Sequence, residues 1–174
     1  MRQTKGFTIL ELIVVIAVVA LLATVALPKF YHLTMRAEAL GAQGMIGNVR
    51  SALSLQMARG LYQGQDLAAW AHNGSRALYP MHDMLLEQPE NYLGVLENSD
   101  QRGSWYDDKN SHELVYVVRN DEVVSGITGT PKKARWRINV IYDDRHPQHV
   151  ETLQAMSVLG LVLKPATAHQ WKFE

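Results

Sequence analysis

Gly6-Phe7-Thr8-Ile9-Leu10-Glu11-Leu12-Ile13-Val14-Val15-Ile16-Ala17 opens a run that carries no further charge until Lys29. From Phe7 to Leu27 every residue is apolar except Thr8, Thr24 and Glu11. As a helix rising 1.5 Å per residue, this segment covers roughly 30 Å, the thickness of a bilayer's hydrocarbon core. A carboxylate inside such a span costs on the order of 2.5–3.5 kcal/mol, so Glu11 requires a partner or a route to water. Arg2 and Lys5 precede the run and lie on the cytoplasmic side by the positive-inside rule. Lys29 and Arg36 follow it, which leaves the charge asymmetry weak. A plain signal anchor with Glu11 near the headgroups fits the pattern, but it does not require Gly6 before Phe7. A cleaved secretory signal fits poorly, because its apolar region is only about 7–15 residues long, although Ala17, Ala20, Ala23 and Ala26 supply small residues.

The basic leader Met1-Arg2-Gln3-Thr4-Lys5-Gly6, the Gly-Phe-Thr junction, Glu11, the apolar run and Pro28 occur in an order that resembles the type III signal of type IV pilins and type II secretion pseudopilins. The resemblance covers about the first third of the chain and is silent on residues 61–174. It implies cleavage by a prepilin peptidase between Gly6 and Phe7, and methylation of the new amino terminus at Phe7. It places Glu11 where the family keeps its glutamate, and Pro28 where many members kink the helix. Ala26-Leu27-Pro28-Lys29-Phe30 also looks like pilins of the mannose-sensitive haemagglutinin type. The implied role is that of a filament subunit, not an enzyme. Its implied partners are copies of itself, other pilin-like subunits, the peptidase, an inner-membrane assembly platform and membrane lipid. The implied location is the inner membrane, crossed once with the C-terminal part in the periplasm, and then a pilus or pseudopilus. The absence of cysteine favours a pseudopilin and the Ala26–Phe30 stretch favours a pilin, so both readings stay open. The alternative is a membrane-anchored periplasmic enzyme or binding protein that does not polymerise.

Elementary electrostatics supports a role for Glu11. Cleavage after Gly6 leaves a cationic amine on the first helical turn, where the helix dipole is already positive. Glu11, four residues on, offsets it in part. The amine of Phe7 on a neighbouring subunit is a better partner, because that pair converts an insertion penalty into an axial register.

The 174 residues suffice for one modest domain beyond the apolar helix. With 17 basic and 17 acidic residues the net charge is zero, and no overall field steers the chain toward nucleic acid. There is no cysteine, so neither a disulfide nor a thiolate metal site is available. The expected organisation is a leader over 1–6, a membrane or filament-core helix over 7–28, an amphipathic continuation over 29–60, and a globular domain over 61–174. In the continuation, Phe30, Leu33, Ala37 and Leu40 form one apolar stripe, and Ile46, Val49, Leu53 and Met57 a second; both are expected to face a sheet. Gly41, Gly44 and Gly47 interrupt the helix at a spacing that suits close packing or local melting. At Pro28 a kinked continuous helix and a melted segment are both open.

Beyond Gly60 the pattern changes. A short helix is expected over 65–72 before the turn Asn73-Gly74-Ser75, and a helical turn near Tyr79–Leu86. Leu114 to Val118 reads as a strand followed by a turn at Asn120-Asp121, with a short return strand over 123–127. The alternation of Trp136, Ile138, Val140 and Tyr142 with Arg135, Arg137 and Asn139 is the clearest strand signal in the chain. A turn at 143–146, a helix over 147–159 capped by Gly160, and edge strands over 161–163 and 170–173 complete the expectation. The resulting class is α+β, a long helix packed on a small antiparallel sheet.

Catalytic and metal signals are weak. His32, His72, His82, His112, His146, His149 and His169 are scattered without ligand spacing. The acidic pairs Asp107-Asp108, Asp121-Glu122 and Asp143-Asp144 suit solvated turns; calcium is a secondary expectation at Asp107 to Glu113, which lacks the EF-hand spacing. No other cofactor is expected. Lys132, Lys133, Arg135 and Arg137 cluster around Trp136, a combination that suits nucleic acid, but alternation puts the arginines on the outer face of a strand, where charge is ordinary. No nucleophile elbow, phosphate loop or dinucleotide fingerprint is present.

Overall fold

A computed structural model describes residues 7–64, 79–142 and 158–172 of the chain. The leader, the expected helix over 65–72, the Asn73-Gly74-Ser75 turn, the turn at 143–146 and residues 147–157 of the expected C-terminal helix lie outside the described residues.

The apolar run and the polar stretch after it form one helix, α1, from Ile9 to Tyr62. Thr8 caps its start: its backbone is extended and its hydroxyl accepts from the Glu11 amide at 3.2 Å. Pro28 sits inside α1 without ending it. Proline has no amide hydrogen, so the Thr24 carbonyl loses its usual partner one turn on. In the isolated chain the helix nevertheless runs continuously through Pro28. Gln63 closes the other end, its amide donating to the carbonyl of Arg59 at 3.0 Å, and Gly64 adopts positive φ.

Five strands, β1 (Tyr92–Leu96), β2 (Trp105–Asp108), β3 (Leu114–Val117), β5 (Lys133–Tyr142) and β6 (Val158–Pro165), form a sheet in the order β1-β2-β3-β5-β6. All neighbours are antiparallel except β1 and β2, which run parallel. A 3-10 turn, η1 (Asp121–Val123), leads into β4 (Val124–Ser125), which pairs with β7 (Gln170–Trp171) as a separate ribbon. The arrangement is α+β as expected, with two corrections. The 123–127 segment does not return along β3; it leaves the main sheet. Gly160 is no helix cap: it lies in β6 opposite Ile141.

The core lies between α1 and one face of the sheet. Ala39, Ala42, Ile46, Val49 and Leu53 are buried against Trp105, Leu114, Tyr116, Ala134, Trp136 and Leu163. The rings of Trp105 and Tyr116 stand 4.6 Å apart, and those of Trp105 and Trp136 5.7 Å apart. On the opposite face Tyr106, Val115 and Val117 form a smaller buried cluster with Leu93 and Leu96. Strand β3 is thus covered on both sides, which explains its unbroken apolar sequence.

The second predicted stripe, from Ile46 to Leu53, faces the sheet as expected. The first does not. Phe30, Leu33 and Leu40 are 58–65 % exposed, and the sheet is met instead by Ala39, Ala42 and the partly buried Met35. Two apolar stripes rotated around one helix cannot both face a single small sheet, and the smaller alanines permit the closer approach.

Candidate functional site

The N-terminal half of α1 leaves the domain bare. Every side chain from Phe7 to Leu22 is exposed, and Phe7, Ile9, Leu10, Leu21 and Leu27 are each about two-thirds or more open. This helix is long and apolar enough to cross a membrane. Nothing among the described residues covers it, and an apolar surface of this extent suits lipid or other helices. The apolar surface continues past Pro28 along the face of α1 turned from the sheet, through Phe30, Leu33, Ala37 and Leu40. It then narrows to Gly41, Gly44 and Gly47, where an added Cβ would meet nothing within 4 Å. The glycines do not interrupt the helix; Gly44 and Gly47 present open backbone, while Gly41 borders a groove shared with Trp105 and Tyr116.

Of the expected site residues, Phe7, Glu11 and Pro28 all lie on this bare segment, and Gly6 lies outside the described residues. Glu11 sits in the first turn, where its charge complements the helix dipole. Among the described residues its carboxylate has no cationic partner.

A second set of side chains, invisible in the sequence, ties α1 to the sheet. The Glu38 carboxylate accepts from the Tyr116 hydroxyl at 3.1 Å, from the Asn120 amide at 3.3 Å and from the Arg119 amide. Two turns nearer the membrane segment, the Tyr31 hydroxyl donates to Glu122 at 2.8 Å and accepts from the Asn120 amide group at 2.6 Å. At the far end Arg50 donates to the Leu163 carbonyl at 3.3 Å. Burial, reinforced by the neighbouring Glu38 charge, pushes the Tyr116 hydroxyl well above the usual tyrosine range.

The acidic stretch that suggested calcium is hydrogen-bonded within the domain. Buried Asp107 accepts from the Tyr92 hydroxyl at 2.7 Å and from the His82 and Met81 amides at 2.8 and 3.2 Å. Desolvation nevertheless raises its pKa above the ordinary carboxyl value. Asp108 is partly desolvated too, but Arg135 at 2.9 Å and the Ser111 and Asn110 amides hold its pKa below the ordinary value. Glu113 binds Arg135 and Arg137 at 3.2 and 2.6 Å. Among the described residues no three His, Cys, Asp or Glu side chains gather as a metal site.

The basic cluster is divided by the strand. Trp136 faces the core, while Arg135 and Arg137 pair with carboxylates on the other face and Lys133 pairs with Asp100 at 2.7 Å. The cations and the aromatic ring do not share a surface.

Among the described residues, the structure is a small α+β domain carried on a helix whose outer half is bare and apolar. Residues 1–27 match the family described as the prokaryotic N-terminal methylation motif. The chain is 31 % identical over 98 residues to a fimbrial protein of Moraxella nonliquefaciens, covering 55 % of this chain and 64 % of that protein. It is 29 % identical to the type IV major fimbrial protein FimA of Dichelobacter nodosus over 38 % of this chain and 42 % of that one. It is 36 % identical to the type IV narrow pilus major component PilA5 of Thermus thermophilus over 30 % and 46 %. The chain thus spans between two-fifths and two-thirds of the length of these relatives. No solved structure matches. The chain thus carries the N-terminal methylation motif and is similar, over part of its length, to type IV fimbrial and pilus proteins.

Proposed function

We propose that this chain is a structural subunit of a type IV pilus, made as a prepilin, cleaved between Gly6 and Phe7, methylated at Phe7 and polymerised through α1. The observation that carries the reading is the uncovered apolar face running from Phe7 through Leu40 to the open glycines at 44 and 47. Lipid covers the outer half of such a helix before assembly. Copies of the same helix cover all of it afterwards, with the glycines letting backbones approach closely. In this reading residues 1–6 are the leader, 7–28 the filament core, 29–60 the link and 61–174 the outer domain. Glu11, without a cationic partner among the described residues, takes the Phe7 amine of a neighbouring copy. The related proteins are named as fimbrial and pilus components, which favours a pilus over a secretion pseudopilus. A prepilin peptidase and an inner-membrane assembly platform are the accessory partners, with the domain on the periplasmic side beforehand.

Intact mass measurement of the native protein, together with electron microscopy of sheared surface material, tests the proposal. The expected species begins at N-methylated Phe7 and is recovered in filaments. A mature protein that retains Met1 and stays unassembled in the membrane overturns it.

A further inference from the structure

Tyr31 lies four residues beyond Leu27, the end of the apolar run, and so about 6 Å further along the axis. The polar headgroup layer of a bilayer is itself about 5–8 Å thick on each side. With Phe7 to Leu27 in the hydrocarbon, Tyr31 sits at the outer edge of that layer. Its two hydrogen bonds, to Asn120 at 2.6 Å and Glu122 at 2.8 Å, bring η1 to the same height. The Lys172 amide bonds the Val123 carbonyl at 2.8 Å, which brings the end of β7 there as well.

Among the described residues, the charges at this end are unevenly paired. Asp121 is engaged by Arg102 through two bonds, at 3.1 and 2.8 Å, and by the Lys132 amide at 2.8 Å. Glu122 accepts from the neutral Tyr31 hydroxyl and keeps its charge at this end, where it is outnumbered by Lys29 and Lys172. Lys29 and Lys172 are exposed and have no carboxylate partner among the described residues. Lys29 follows the end of the apolar run directly, where a lysine reaches the phosphate plane.

We propose that, before assembly, the domain rests on the membrane by its η1–β7 end and that Lys29 and Lys172 bind the phosphates of anionic phospholipid headgroups. The inference rests on the membrane-spanning reading of α1 and not on filament formation. The occupant is a lipid surface because the hydrogen bonds of Tyr31 set the height of this end. Lys29 stands at headgroup level in either arrangement, so Lys172 is the residue that favours the docked over the lifted one, by about fivefold at low salt, an attraction that falls off within a Debye length.

The chain has no cysteine, so single thiols can be introduced without background. Nitroxide labels are placed on the full-length protein at Gln170→Cys on β7, at Leu86→Cys and at Val18→Cys. Leu86 is exposed on the rim of a shallow groove bordered by Leu55, Gln56 and Arg59 of α1, roughly 35 Å further from the membrane than Tyr31. The protein is reconstituted in phosphatidylcholine vesicles with or without phosphatidylglycerol, doped with a nickel-chelating lipid that relaxes nearby labels. The expected result is strong relaxation at 170, little at 86, and an increase at 170 with phosphatidylglycerol that Lys29→Gln/Lys172→Gln abolishes. Equal relaxation at 170 and 86, or an unchanged phosphatidylglycerol response in the double variant, overturns the proposal. A label at 18 that is open to water overturns the spanning reading itself and the docking with it. That outcome is separate from any failure of the pilus reading, which this assay does not measure.

Discussion

Glu38 and Tyr116, separated by 78 positions, meet side chain to side chain at 3.1 Å across the junction of α1 and the sheet. The same carboxylate also receives the Arg119 and Asn120 amides, so one helical residue closes the polar backbone after β3. Removing it leaves donors without a partner in a partly buried place. Glu38→Ala is expected to destabilise the protein by about 2–3 kcal/mol, and Tyr116→Phe by about 1 kcal/mol. Thermal unfolding followed by circular dichroism checks the order. Equal losses from the two variants would show that the backbone amides contribute little.

Gly44 and Gly126 separate folding from assembly. An added Cβ at Gly44 meets nothing within 4 Å, and alanine favours a helix by about 1 kcal/mol over glycine. Gly44→Ala is therefore expected to raise the melting temperature of the subunit while lowering filament yield. Gly126 has φ +85°, and a Cβ there would stand 2.9 Å from the Ala168 carbonyl oxygen. Gly126→Ala is expected to cost at least about 1–2 kcal/mol and to reduce the folded protein itself. Sheared-filament recovery normalised to folded subunit distinguishes the two effects.

Asp107 gives the acid-side stability profile an unusual component. Its pKa is raised in the folded protein, first by desolvation, so folding favours the protonated form. Its contribution is greatest below the ordinary carboxyl value near 4 and is lost as pH rises through the raised folded value. Asp121, held low by Arg102, and Asp108, held low mainly by Arg135, act in the opposite sense: their contribution is present above about pH 4 and is lost as pH falls. Asp107→Asn is expected to flatten the decline of stability above pH 4 and leave the loss below pH 4 in place. Denaturant melts at half-unit intervals of pH would reveal a persistent slope if another group is responsible.

Glu11→Ala is expected to leave membrane insertion intact and reduce filament yield at least tenfold, because the carboxylate has no cationic partner among the described residues and is proposed to pair with a neighbouring copy. Gly6→Val is expected to accumulate uncleaved precursor. Filaments of Glu11→Ala at normal yield would remove the proposed pairing with Phe7.

The legible parts of the fold were those where one physical pattern acts alone. The apolar run dictated α1, and the strict alternation around Trp136 dictated β5. Strands β1 and β2 went unread for definite reasons. The β1 sequence Tyr-Leu-Gly-Val-Leu is half-buried throughout, its ladder to β2 has an irregular register, and it runs parallel to its neighbour. The β2 sequence Trp-Tyr-Asp-Asp resembles a turn, yet both aspartates are buried, held by partners as distant as Met81 and Arg135. Gly160 suggested a helix end because local glycine chemistry is the same there as in an edge strand passing Met57. The processing reading of Gly6 and Phe7 rests on their order in the sequence alone. The Glu38, Tyr31 and Asn120 contacts were not legible, since no local pattern links positions about 80–90 apart.

An uninterrupted helix that is both the stem and one wall of the domain has a mechanical consequence. Tension applied along a row of such stems has no slack linker in which to dissipate between Ile9 and Leu53. It arrives as shear between α1 and the strands beside it, and the first bonds to feel that load are those of Tyr31 with η1.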